Sequence, residues 1–444
     1  MPLTQDLAAA RTQMALSLGW HIIVACFGVA MPALTLFMQW RAQRHPDQPH
    51  LEELARRWAN AMGVLFAVGA VSGTILSFEM GLLWPGLMDK FGQVIGLPFT
   101  IEGFAFFLEA IFLGIYLYGR SRLSPRTHLL SGVPILIAGV VGTLSVVSAN
   151  AWMNQPRGFD LESGKVTGVD PWAAMFNPAT PPQTVHMLVA AFMVTGFMMA
   201  SVYAAGLLKG RRDDYHRTGF RVPFTVAAIL TPIQIGVGDW AAHFVADYQP
   251  TKLAAMEGVY HSADGVPLHI GGVAIDGHLR YAIEIPNGLS LLAHWNPHAR
   301  IAGLDQVPIA DHPPVNVVHL SFQLMVACGF ALLLVSLWYA VVRKRELNRW
   351  FLRAAVLCGP AAIIALEAGW TTTETGRQPW VVYGILRTTE AVNPAPGLRT
   401  GLYVILLVYT VLTVASVYVL RRLAGLTRRP QGADEAGARH QETS

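Results

Sequence analysis

Residues 369–380 read Gly-Trp-Thr-Thr-Thr-Glu-Thr-Gly-Arg-Gln-Pro-Trp and bring a carboxylate (Glu374), a guanidinium (Arg377) and two indoles (Trp370, Trp380) into one short stretch. They close an apolar run that begins near Ala354, is long enough to cross a bilayer and also contains Glu367. An ionisable side chain at membrane depth is costly and usually has a partner or a function. Glu374 falls one turn after Trp370 on the same helical face, and Pro379 stops the helix after Arg377. Such a grouping suits a large anionic aromatic cofactor such as haem. It equally describes an interfacial ion pair between belt tryptophans, and spacing alone leaves both readings open.

Other polar side chains fall at related depths. Of the histidines, His21, His186, His243 and His319 lie in apolar runs. His21 sits about two turns into the first run, His186 one turn into the fifth, and Met325 about three turns into the seventh. Glu79 lies at the end of the second run. Glu102 and Glu109 stand seven residues apart on the third, hence on one face of a helix. With the orientation derived below, all of them fall in the outer half of the membrane or near its midplane. Imidazole, thioether and carboxylate are side chains that ligate haem iron, with His/Met typical of cytochromes. Taken singly, a membrane histidine also serves as a helix–helix hydrogen bond, a methionine as core filler, and a glutamate as a tie between helices. The shared depth is what makes the group a candidate site.

The elements that must position these residues are transmembrane helices. The chain of 444 residues is 53% hydrophobic and 14% charged, well below the roughly 25% charge of a soluble domain. The expected fold is all-α, a polytopic membrane protein with nine spans near 14–39, 58–80, 98–119, 129–150, 183–208, 220–245, 314–342, 354–375 and 399–420. Arginines and lysines crowd alternate connections: Arg41, Arg44, Arg56 and Arg57, then Arg120, Arg122 and Arg126, then 209–221, then 343–353, then the tail. The positive-inside rule makes those connections cytoplasmic, with the N-terminus outside and the C-terminus inside. The polar N-terminus lacks a basic n-region, so it reads as the start of a retained first span and not as a signal peptide.

The expected organisation is spans one to six over 1–245, an outer loop over 246–313, spans seven to nine over 314–421 and a disordered cytoplasmic tail over 422–444. The loop is long and mixes aromatic, apolar and turn residues, so it is expected to fold. The net charge of +4 calls for no nucleic-acid partner, since the basic residues sit between spans. Cys26, Cys328 and Cys358 have neither CxxC nor CxxCH spacing, so neither a disulfide framework nor a covalently attached haem is expected. There is no His-His pair of the kind haem–copper oxidases use, no span with the two histidines of a bis-histidine cytochrome b, and no phosphate loop.

Five segments carry a resemblance across nearly the whole chain: Gly-Arg-Gln-Pro-Trp at 376–380, Gln-Pro-Thr-Lys-Leu-Ala-Ala-Met-Glu at 249–257, Ile-Glu-Gly-Phe-Ala-Phe-Phe-Leu-Glu at 101–109, Ala-Asn-Ala-Trp-Met-Asn at 149–154 and Asn-Val-Val-His-Leu-Ser-Phe-Gln-Leu-Met at 316–325. With them the chain resembles subunit I of the cytochrome bd quinol oxidases, in the short-loop, cyanide-insensitive-type branch. The resemblance implies that His186 and Met325 are the axial ligands of a low-spin haem b and Glu374 the ligand of a high-spin haem b. It implies that His21 is the ligand of the oxygen-reducing haem, a haem d or a third haem b. Trp370 then packs between haems and Arg377 lies near their propionates. Lys252 and Glu257 become quinol-binding residues of the outer loop, while Glu102 and Glu109 serve proton delivery and charge balance at the haems.

The implied activity is oxidation of ubiquinol or menaquinol at the outer face and reduction of dioxygen to water with cytoplasmic protons. Charge would then cross the bacterial inner membrane without a pump. The implied partners are a second large polytopic subunit and small single-span subunits, besides quinol, dioxygen and membrane lipids. Gln323 stands where many long-loop members carry an arginine beside the low-spin haem, which is expected to lower its potential. The residues alone leave a second class open, a transporter or channel using membrane carboxylates.

Overall fold

The computed structural model describes residues 2–425. Among the described residues, nine helices are long and apolar enough to cross a membrane: Asp6–Arg44, Pro49–Leu83, Pro85–Tyr118, Pro125–Asn154, Thr180–Leu208, Asp214–Tyr248, Val315–Val342, Arg349–Thr375 and Leu398–Ala424. They are called the first to ninth spans below, and the expected all-α membrane fold with nine spans is borne out. Each expected span matches a helix to within a residue or lies inside a longer one, because hydropathy marks only the part at lipid depth. The second span shows why. Its first turns bury Leu51, Leu54 and Trp58 among Glu52, Glu53, Arg56 and Arg57, so they are helical but not apolar on average. Several helices open on a proline, which is pre-set for the first helical position and has no amide hydrogen to leave unpaired.

The ninth helix continues to Gly425, so the first residues of the expected tail are helical. Residues 426–444, the rest of that tail, lie outside the described residues.

The fifth to eighth spans pack on one another. Their shared core includes Phe197, Phe220, Phe224, Tyr339 and Phe351. The first span lies against the second, fifth and ninth, and the third against the fourth. The ends of the even-numbered spans meet on one side. Tyr383, after the eighth span, donates its amide to Met153 O at 2.9 Å, Gln249 Nε2 donates to Asn154 O at 2.7 Å, and Asn393 N donates to Leu83 O at 2.9 Å. On the opposite side Arg120 pairs with Glu52, and Arg212 with Glu346 at 3.1 Å.

The connection between the sixth and seventh spans has a core of its own, with Leu253, Val259, Val266, Leu289, Ile301 and Leu304 buried. Each such side chain contributes about 1.5–3 kcal/mol when fully withdrawn from water. It opens with a short helix, Pro250–Glu257, the loop helix below. That helix ends because Gly258 takes a left-handed φ of 68°, and the Val259 amide then reaches back to Ala254 O at 2.8 Å. Two hairpin pairings follow, Leu268–Ile270 with Ile283–Ile285 and Val273–Ile275 with His278–Arg280. A second short helix, Gly288–His294, completes the unit.

Candidate functional site

The four histidines at depth separate into two kinds. His319 is fully buried, with Nδ1 2.7 Å from Met256 O and Nε2 3.0 Å from Gly271 O. His243 stacks on Trp295 at 5.3 Å, with Nδ1 2.9 Å from Asp239 O. The His319 ring is engaged at both nitrogens, whereas the buried Nε2 of His243 has no partner. His21 and His186 also keep a nitrogen open. The Nδ1 of His21 lies 2.8 Å from Ser72 Oγ, which fixes the ring and leaves Nε2 without a hydrogen bond. The Nδ1 of His186 is buried with no partner. A metal needs one open imidazole nitrogen, and in His21 and His243 the other nitrogen is already held by the protein.

His186 lies six residues into the fifth span, about 9 Å along it. Its ring faces Gly238 of the sixth span. Met325 on the seventh span packs against Gly369 of the eighth, where a Cβ would meet its sulfur at 2.9 Å. Any larger residue at 369 would displace that thioether. Trp370 is next in the chain and half-buried, so it stands between Met325 and Glu374 along the eighth span.

At the end of the eighth span the opening ion pair is formed. Arg377 Nη2 donates to Glu374 Oε2 at 2.6 Å, and Arg377 is only 3% exposed. Asn150 Nδ2 donates to the other oxygen of Glu374. Asn154 Nδ2 bonds Asn150 Oδ1 at 3.2 Å, and Lys252 Nζ donates to Asn154 Oδ1 at 2.7 Å. A polar chain therefore runs from the loop helix through the fourth span to the eighth. Asn150 and Asn154 had no role in the sequence reading. Their signal was two asparagines one turn apart, at a membrane boundary and inside a recognised segment. The other indole, Trp380, is covered by the Arg387 guanidinium at 4.6 Å and serves local packing.

Lys252 and Glu257 are both on the loop helix and each 4% exposed. Burial, with Arg377 adding to it and Glu374 opposing, brings the Lys252 ammonium down to about 7. Burial pushes the Glu257 carboxyl up to about 8, and its Oε2 has no partner. The stem of Lys252 packs against Gly376, so the lysine leans towards the fourth and eighth spans. The main chain on either side of the Glu257 α-carbon is held from the seventh-span side of the loop.

Glu102 and Glu109 are half-buried on the third span, and Glu109 turns towards Gly28 of the first. Ser145 and Ser148 are buried on the fourth span and donate to their own helix, to Val141 O at 2.9 Å and Ser145 O at 2.7 Å. They offer a proton path lone pairs and no free hydroxyl hydrogen. Glu79 is bound by Gln13 Nε2 at 2.9 Å.

With this geometry in place, comparison with known proteins decides the family. The family model for cytochrome bd terminal oxidase subunit I matches residues 9–427. The chain belongs to that family. Among bd subunits I, the putative cytochrome bd menaquinol oxidase subunit I of Bacillus subtilis (strain 168) is 36% identical over 425 residues, covering 94% of this chain and 96% of its own. The cytochrome bd-II ubiquinol oxidase subunit 1 of Escherichia coli (strain K12) is 28% identical over 455 residues, covering 84% and 88%. The structure of bd oxidase from Geobacillus thermodenitrificans superposes with a TM-score of 0.91 at 38% identity, over 96% of this chain and all of that one. This bd-family chain is a multi-pass membrane protein, and membership implies quinol oxidation and oxygen reduction with haem cofactors and a second subunit. The transporter reading is thereby set aside.

Proposed function

We propose that this chain is the haem-carrying catalytic subunit of a quinol:oxygen oxidoreductase in the bacterial cytoplasmic membrane, oxidising quinol at the loop side and reducing dioxygen to water. One observation carries the reading: the continuous polar chain Lys252–Asn154–Asn150–Glu374–Arg377, which joins the candidate quinol lysine to the candidate haem carboxylate.

The residues present fit haem. Arg377 keeps Nε and Nη1 buried without partners, two donors suited to a carboxylate such as a propionate. His186 and Met325 offer a nitrogen and a sulfur from the fifth and seventh spans, Glu374 an oxygen, and His21 an Nε2. By this reading His186 and Met325 hold a low-spin haem b, Glu374 a high-spin haem b and His21 the haem at which oxygen reacts, d or b in type. Bound there, iron supplies the electron storage and oxygen-binding position that side chains lack.

The chain's own residues handle position and protons. Glu257, buried and unpartnered at Oε2, accepts a proton from a quinol hydroxyl. Lys252, anchored by Asn154, donates to a quinone oxygen. Placing the basic connections in the cytoplasm puts the loop outside. Quinol protons then leave outside, while those for water arrive from the cytoplasm by way of Glu109 and Glu102. Charge crosses the membrane without a pump.

Lys252→Ala and Glu257→Gln are expected to raise the apparent KM for quinol or lower turnover, with haem content and reduction by dithionite intact. Wild-type kinetics in both variants would remove the quinol assignment. A base that must be ionised to act gains with pH, so kcat/KM for quinol rises as pH passes about 8, where Glu257 titrates. In Glu257→Gln that rise is absent; its persistence would assign the proton to another group.

The exposed faces of the second and third spans, with Phe78, Leu82, Phe104, Phe107 and Ile115 outward, leave room for a second large polytopic subunit and for small single-span ones. The expected purified species is a heterodimer at least. A lone chain with full haem content and full activity would count against it.

A further inference from the structure

His319 and Gln323 are one turn apart on the seventh span, so they share a face. Neither offers its polar atoms to the candidate haem positions. The two nitrogens of the buried His319 ring point at Met256 O, in the last turn of the loop helix, and at Gly271 O, just after the strand Leu268–Ile270. The Gln323 amide uses both its ends on the same segment: Nε2 donates to His269 O at 3.0 Å, and Oε1 accepts from Gly271 N at 3.1 Å. His269 closes the circuit, its Nδ1 lying 2.9 Å from Glu257 O. One helix face thus grips His269 and Gly271 of the loop and, through His269 and directly, the main chain on both sides of the Glu257 α-carbon. Met325 is two residues beyond Gln323 on the same helix.

We propose that His319 and Gln323 are positioning residues for the quinol site, fastening segment 269–271 and the end of the loop helix to the seventh span so that Glu257 is held at a fixed place relative to Met325. The proposal rests on the reading of Glu257 as a quinol residue. Helix-terminal carbonyls have no partner inside the helix, and these two, Met256 O and Glu257 O, are each met by an imidazole. Without those bonds the short loop helix would be tied to the seventh span by apolar contact alone, among Ala255, Met256 and Val318, which sets distance but not register. Both groups facing His319 are main-chain carbonyls, which accept. A primary amide offers them N–H donors in turn, which makes glutamine the conservative replacement.

The test uses the complete purified oxidase carrying His319→Leu, His319→Gln, Gln323→Leu or Glu257→Gln. It reads the apparent KM and kcat for quinol, the dithionite-reduced spectrum, and the rate of protease cleavage within 258–313. His319→Leu and Gln323→Leu are expected to raise KM by about tenfold or more, as misplacement of a reacting group does. Both are expected to speed cleavage of the loop and leave the spectrum unchanged. His319→Gln is expected to stay within about threefold of wild type, since it keeps the hydrogen bonds. If His319→Leu does not assemble, Gln323→Leu carries the test. Wild-type KM and cleavage in the leucine variants that assemble, with Glu257→Gln impaired, would overturn the positioning role. Wild-type kinetics in Glu257→Gln would instead overturn the quinol reading on which it stands.

Discussion

His186→Ala and Met325→Leu are each expected to remove the low-spin haem b band and to cut quinol-driven oxygen consumption by roughly 100-fold or more, since even losing a ligand's supporting hydrogen bond costs metal sites 10–100-fold. The two residues come from different spans, the fifth and the seventh, and no direct hydrogen bond joins them. A shared loss of one spectral band therefore has a simple physical cause, a group held between them. His186 suits the role because its buried Nδ1 has no other partner, and Met325 because Gly369 opposite it leaves room for the sulfur. In each variant the bands of the other haems are expected to remain, which separates loss of a ligand from loss of the fold. An unchanged low-spin band in both would sink the assignment.

The second large effect is expected at Glu109. Glu109→Gln keeps the shape and the hydrogen-bonding capacity of the side chain but cannot carry a proton. Positioned proton transfer is worth about 10²–10⁴-fold in rate, so oxygen reduction is expected to slow at least tenfold while all haems and electron entry from quinol are retained. Glu109 is placed for this. It faces Gly28 of the first span, two helical turns beyond His21, and Glu102 lies two turns away on its own helix. Ser145 and Ser148 donate to their own backbone, so the route past the fourth span needs water. Single-turnover reaction of the fully reduced enzyme with oxygen is the measurement. A wild-type proton-coupled phase in Glu109→Gln would show that protons travel elsewhere, leaving the glutamates as charge balance or helix ties.

Much of the fold was legible because the bilayer imposes it: a span must be long and apolar, and every expected span coincides with a helix or lies within one to a residue. What hydropathy missed were the ends, such as Pro49–Trp58, where charged and buried residues alternate on an amphipathic turn. The ion pair of Glu374 and Arg377 was legible because its members are three residues apart. The Asn150–Glu374 bond was not, since its partners are 224 positions apart in the chain. His319 shows a further limit. At the sequence level it is one more membrane histidine, indistinguishable by depth from His186. Its partners are backbone carbonyls of Met256 and Gly271, which every residue possesses, so nothing in the sequence could name them. Gln323 was noted for the cation it lacks. The structure shows what its amide does, which is to hold the strand that leads back to Glu257.

The central claim is that quinol delivers electrons to haems held by this chain and that oxygen removes them. An anaerobic visible spectrum of the purified complex, recorded before and after adding quinol and again after a pulse of oxygen, tests it most directly. The account predicts that quinol brings up the reduced low-spin haem b band together with high-spin haem bands, and that oxygen abolishes them. A preparation without haem bands, or one whose haems are reduced by dithionite but not by quinol, would contradict it.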